Sequence, residues 1–231
     1  MKLCTIWSAE ARDEEGPPIP DQGSVTYSAA IESAAAGDTS AERSEFAERV
    51  LREATRRGFD RATRRIILGD CAVWIWNTAT ELFPSAIQIA DRYHVKERIC
   101  TIAKAIFGPA DPQTKSWAKL RHDELDAENV DAIIQALTQH SHHCEEARTG
   151  IDYFQNNRHR MRYVEFRAQG LCTSTGVVEA GCKVAIGERL KLSGMHWSVC
   201  GANAIIALRC SRLSGRFEDF WERRSARQKA A

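Results

Sequence analysis

A repeated phrase constrains this chain more than any other feature. Residues 65–69 read RIILG and are followed by Asp70; residues 86–90 read AIQIA and are followed by Asp91. Short apolar runs between turn-forming residues read as buried strands. The stretch between them, 77–83, reads as a short helix that Pro84 ends. Strand, helix, strand, with both strands apolar, is the βαβ unit of a parallel sheet. In open α/β sheets, sites gather beyond the carboxyl ends of the strands. Two carboxylates delivered to that position therefore point to a site, and a hard divalent cation is a natural partner for Asp70. The competing readings are a turn aspartate bonded to local amides at Asp70 and a helix N-cap at Asp91. Trp74 and Trp76, two apart, are expected on one face as core packing.

The rest of the chain supplies mostly helices. Residues 2–9 (KLCTIWSA) alternate like a strand, with Leu3, Thr5 and Trp7 on one face, and 23–31 can hold another. Between them lies a loop carrying Pro17, Pro18 and Pro20. Residues 39–58 are the clearest helix. Thr39 with Glu42 fits a capping box, and Phe46, Ala47, Val50, Leu51 and Ala54 form the apolar stripe. Glu45–Arg49, Glu48–Arg52 and Glu53–Arg57 are expected on its wet faces, with Gly58 as the stop. Further helices are expected over 94–107, within the polar stretch 113–162, and over 176–190, 198–212 and 217–224.

Net charge is only +1, from 32 basic and 31 acidic residues, so any nucleic-acid surface must come from uneven distribution. Two runs concentrate positive charge: NNRHRMR (156–162, with Arg158, Arg160 and Arg162) and RLKLSGMHW (189–197, with Arg189 and Lys191). They suit phosphate contacts, with a solvated loop as the competing reading. Glu179 and Lys183 lie in GVVEAGCK, where nearby glycines let another backbone or a ligand come close. In DRYH, Asp91 and His94 stand close enough to hydrogen-bond or bind a metal. The histidines of HSHHC (140–144) point different ways on a helix, and no second ligand pair sits at a suitable spacing, so zinc is not expected there. Eight cysteines occur singly with no CxxC pair, residues 1–15 are too polar for an export signal, and no apolar run is long enough to cross a membrane. A cytoplasmic protein with reduced thiols is the expectation.

Five separated blocks now fall into one pattern: GDCAVWIWN, AIQIADRYHVKER, MRYVEFRAQGL, STGVVEAGCKVAIGERLKLSGMHWS and SGRFEDFWERR. In wording, order and spacing they resemble the C-terminal half of DDE transposases of the ISKra insertion-sequence type, a resemblance running from Lys2 to Arg224. It implies an α/β, RNase H-like catalytic domain with an all-helical insertion and a helical C-terminal part. The implied divisions are a sheet portion over 1–111, the insertion over 112–162, and C-terminal helices over 163–231 that complete the domain. Asp70 matches the second acid of the family's triad, Glu179 the third, and Asp91 with His94 an accessory DxxH pair. Mg²⁺ or Mn²⁺ would be the cofactor, held by Asp70 and Glu179 together with a third acid. DNA would be the partner, at transposon ends and target, contacted by Arg158, Arg160, Arg162, Lys183, Arg189 and Lys191. A further copy of the chain or a full-length transposase is a second partner, and the location implied is nucleoid-associated.

The resemblance also sets departures. The strand carrying the first aspartate is expected ahead of KLCTIWSAE, and Asp13 and Asp21, in the proline-rich loop after it, are poor substitutes. Cys71 stands where glycine is expected after GD, and its side chain would crowd the turn. The expectation is a truncated transposase that does not cut DNA unaided. The alternatives are a non-catalytic DNA-binding or regulatory fragment, and an inert remnant of a decayed element.

Overall fold

The computed structural model describes residues 1–10, 18–33, 43–219 and 221–222. It is a mixed α/β structure, dominated by helices, whose chain divides into two compact units. The first comprises Met1–Arg65, Trp76–Ser85 and Thr175–Ala231; the second comprises Ile66–Ile75 and Ala86–Ser174.

In the first unit β1 (Lys2–Ile6) pairs antiparallel with β2 (Thr26–Ala30), Lys2 opposite Ala30 and Ile6 opposite Thr26. Ala29 and Ala30 on β2 are buried, as are Phe46, Ala47, Val50 and Ala54 of α1 (Glu45–Arg56) and Ala202, Ile206 and Cys210 of α10 (Val199–Leu213). Asn203 of α10 grips the end of β2 from both sides: its Oδ1 accepts from the Ile31 N–H at 2.7 Å and its Nδ2 donates to the Ile31 carbonyl at 3.1 Å. Helix α1 begins at Glu45, where the Ser44 hydroxyl accepts from the Ala47 N–H, so Ser44 is the cap. Thr39 and Glu42, expected to form a capping box, lie outside the described residues, as does Asp13. Glu45 pairs with Arg49 as expected. Glu53 does not sit on a wet face. It is 3% exposed and is held by both guanidinium nitrogens of Arg216, at 2.8 and 2.7 Å, and by Arg56. A buried carboxylate needs such partners to offset its lost hydration.

In the second unit β3 (Ile66–Gly69) pairs parallel with β4 (Ile87–Ala90), Ile66 opposite Ile87 and Gly69 opposite Ala90. The chain between them forms α2 (Val73–Leu82), which belongs to the first unit from Trp76 on and begins four residues earlier than the sequence suggested. Because α2 is a helix at that point, Trp74 and Trp76 are not on one face: two residues turn the helix by about 200°. Trp76 is buried and Trp74 half-buried.

The rest of this unit is helical, from α3 (Arg92–Phe107) through α4 (Pro112–Asp126), α5 (Val130–Thr138) and α6 (Glu145–Asn157) to α7 (Tyr163–Ala168). The caps are chemically legible: Asp111 accepts from the Gln113 N–H with Pro112 next to it, and Asn129 accepts from the Ala132 N–H. Val95, Ile99, Ile102 and Ala103 of α3 face a core shared with Leu125, Ile133, Leu137, Phe154 and Phe166. Gly150 lets α6 close in, since a Cβ there would lie 2.8 Å from Ile102 Cδ1.

The first unit ends in α8 (Gly176–Gly181), which runs on through a π-helical stretch, Cys182–Gly187, into α9 (Glu188–Leu190) and then, past a loop, α10. The helix expected over 217–224 is present at residues 217–219 and 221–222, the rest lying outside the described residues. Among the described residues no helix is long and apolar enough to cross a membrane.

Candidate functional site

The acids selected from the sequence divide between the units, Asp70, Asp91 and His94 in the second, Glu179 in the first. Asp70 ends β3 and is exposed. Its Oδ1 accepts from the Ala72 N–H at 3.1 Å, the local amide bond of a turn aspartate. The turn depends on Cys71, whose φ is +68°, a left-handed conformation that glycine adopts freely and a cysteine adopts at a cost. Cysteine is thus strained where glycine was expected. Its side chain is buried and bonded to Tyr153, and burial above all pushes its thiol up to about 11, which removes it as a nucleophile near neutral pH.

Asp91 occupies the matching position on β4 and is 1% exposed. Its N–H extends the parallel ladder to the Gly69 carbonyl at 2.7 Å, and its Oδ1 accepts from the His94 N–H at 2.8 Å, capping α3. The His94 Nδ1 stands 3.1 Å from the same oxygen but makes no aligned hydrogen bond. The backbone cap is therefore what holds Asp91, because distance without alignment contributes little. Tyr163, fully buried, donates its hydroxyl to the Ala90 carbonyl at 3.1 Å and so braces the same strand end. Arg92, next in the chain, makes a two-pronged pair with Asp126 at 2.6 and 2.7 Å, which Lys96 joins. Burial alone would raise the Asp126 carboxyl, but the bonds from Arg92 and Lys96 outweigh it and hold the group below the ordinary carboxylate value.

Glu179 is exposed on α8. The nearby glycine has a structural use: a Cβ on Gly181 would lie 2.7 Å from Tyr27 Cε1 and 3.2 Å from Thr5 Oγ1, so only glycine seats this helix on the β1–β2 sheet. Cys182 is exposed, so the rise that partial burial gives its thiol is small in consequence; Lys191 lowers it and Glu179 raises it. Arg189 stacks its guanidinium over the Trp197 ring at 5.6 Å, while Lys183 and Lys191 are exposed.

The first basic run is otherwise engaged. Arg158 pairs with Asp131. Arg160 donates to Gln88 at 2.8 Å and to Asn157 at 3.0 Å, and Arg162 donates to Glu165 at 2.7 Å. Arg160 thus ties β4 to the end of α6, while Arg158 and Arg162 keep half-exposed surface pairs. Asp21 is a loop brace too, accepting from the Ser8 hydroxyl at 2.6 Å and the Glu10 N–H at 2.9 Å. All eight cysteines are free.

Sequence reasoning missed Arg209. From α10 its Nε donates to the Ala185 carbonyl at 3.1 Å and its Nη2 to the Val184 carbonyl, and Nη2 lies 3.2 Å from Glu188 Oε2. No local pattern could have announced it, since its partners lie 21 to 25 residues earlier. An open depression of about 510 Å³ on the first unit borders this arginine and is lined also by Leu208, Arg212, Gly215, Phe217 and Glu218. None of the acids selected from the sequence lines it.

Among the described residues no three His, Cys, Asp or Glu side chains form a group that could hold a metal ion. Asp70 and Glu179 are exposed carboxylates belonging to separate units, and neither unit by itself assembles the donor set that a pair of divalent cations needs.

An uncharacterised protein family, UPF0236, matches residues 36–225, and the chain belongs to that family. No curated protein and no solved structure matches it.

Proposed function

We propose that this chain is a catalytic-domain portion of an RNase H-like, DDE-type transposase of the ISKra insertion-sequence type, a lineage whose chemistry is cleavage and joining of DNA. The five sequence blocks support the family, and one structural observation carries the site: Asp70 is an exposed carboxylate at the C-terminal end of a parallel strand. In this reading Asp70 and Glu179 are the ligands the chain contributes toward Mg²⁺ or Mn²⁺. Asp91 and His94 hold the neighbouring strand end and act only as accessories. Lys183, Arg189 and Lys191, all exposed and Arg189 stacked on Trp197, meet DNA phosphates, joined by the half-exposed Arg158 and Arg162, whereas Arg160 is engaged with Gln88 and Asn157. The chain working alone does not cut DNA, and its place is with the nucleoid.

A purified chain incubated with transposon-end DNA and Mg²⁺ or Mn²⁺ is expected to leave the DNA intact. Cleavage that disappears in Asp70→Ala would overturn the statement that it is inactive alone. Salt-dependent DNA binding, weakened by Arg189→Ala with Lys191→Ala, is expected; absence of binding even at low salt would sink the nucleic-acid reading. A second reading is a non-catalytic DNA-binding fragment that pairs with another copy or with a full-length transposase. The Arg189–Trp197 stack favours it, because that surface needs neither acid. DNA binding unchanged in Asp70→Ala and Glu179→Ala is its signature.

A further inference from the structure

The helix that carries Glu179 contains one residue too many for an α-helix. The Glu188 N–H reaches back five residues to the Lys183 carbonyl, with a second, two-residue contact to the Ile186 carbonyl that is too short a loop to be a helical bond, whereas the Lys191 N–H reaches back four to Gly187. Between those two bonds lie two amides, of 189 and 190, and three carbonyls, of 184, 185 and 186. One carbonyl is therefore left over wherever the π stretch returns to α, and a partly buried carbonyl without a donor is costly. The Arg209 guanidinium donates to two of these three carbonyls, those of Val184 and Ala185.

We propose that Arg209 fixes the π register of Cys182–Gly187 and is thereby a positioning residue for the surface around Glu179. Relaxing the stretch to an α-helix turns whatever follows by about 100° and shifts it about 1.5 Å along the axis. Arg189 and Lys191 would then leave their present places relative to Glu179. π-Bulges of this kind recur at functional sites because they re-aim side chains without breaking a helix. The positional consequence rests on reading Glu179 and the basic residues as the DNA-handling surface; the register does not, and the two can fail separately.

The test couples Arg209 to the extra residue in the full chain. Arg209→Ala is expected to speed amide exchange over residues 188–191 by roughly tenfold, the loss of about one net hydrogen bond, and to lower the melting temperature. Deleting Val184 removes the surplus carbonyl and restores a continuous α-helix. In that background Arg209→Ala should change neither exchange nor melting. Equal effects of Arg209→Ala in both backgrounds would overturn the proposal, because Arg209 would then only tie α10 to its neighbour. A Val184 deletion that fails to fold would overturn it as well. If Arg209→Ala alone does not fold, recovery of the fold in the double variant supports the proposal and continued failure overturns it. Glu188→Gln isolates the ion pair and is expected to leave exchange over 188–191 unchanged; a tenfold rise there would assign the effect to Glu188 instead. DNA retention in the four variants reads the function separately: exchange that follows the prediction while binding does not would keep the register and reject the DNA surface.

Discussion

The ends of β3 and β4 carry the same sequence phrase and meet opposite fates. After Asp70 the chain makes a left-handed turn at Cys71 and two residues pass before α2 begins at Val73. The carboxylate stays in solvent with one local amide bond. After Asp91 the helix begins at once with Arg92, and the carboxylate folds inward as its cap, 1% exposed. An aspartate at a strand end is therefore not yet a site. The two residues that follow it decide whether its oxygens belong to a ligand or to the next helix.

The largest effect that would sharpen this contrast is at Asp91. Asp91→Ala removes the cap and is expected to destabilise the second unit by about 2 kcal/mol, while Asp91→Asn keeps more than half of that stability, because an amide oxygen also caps. Chemical denaturation measures both, and a neutral Asp91→Ala would erase the difference between the two strand ends.

Cys71 comes next. Glycine and alanine both remove the thiol and its bond to Tyr153, but only glycine relieves the left-handed backbone. Cys71→Gly is expected to be more stable than Cys71→Ala by about 1 kcal/mol. The reverse order in thermal melts would mean that the turn is unstrained.

The β4 end should also be the acid-sensitive one. The Asp126 carboxyl, tied to Arg92 and Lys96, is held below its ordinary 3.8. A carboxyl depressed in the folded state contributes stability that is present above its unfolded value and is lost as pH falls through the folded one. Stability of the second unit is therefore expected to drop below about pH 4, by about 1 kcal/mol for a partly exposed network, and Asp126→Asn should flatten that limb. An unchanged acid limb in the variant would show that the pair contributes nothing.

Asp70→Ala should have the smallest effect, within about 0.5 kcal/mol, because it gives up one exposed bond. A larger loss would place Asp70 among the structural acids and leave the proposed function without its leading residue.

The βαβ phrase, the stripe of α1, the helices over 94–107 and 198–212, and the glycine beside Glu179 were legible because each is written in residues close together in the chain. Period and punctuation report local backbone preference, and the observed elements depart from them by a few residues at the ends. Exposed Asp70 was legible as a strand-end acid for the same reason. The engagement of Arg158, Arg160 and Arg162 was not, since a run of arginines looks alike whether its partners are phosphates or the chain's own Asp131, Gln88 and Glu165.

Where strands and helices form, to within a few residues at their ends, and which acids follow the strands are written locally, because those choices depend on neighbours within a turn or two. Tertiary structure alone decided which charges are satisfied internally. Glu53 left the wet face of its helix for a buried pair with an arginine 163 residues along the chain. Arg209 reached back from α10 to the carbonyls of Val184 and Ala185 in the π-helical stretch. Burial makes such pairings necessary, and burial is fixed only when distant segments pack, so no local pattern records them.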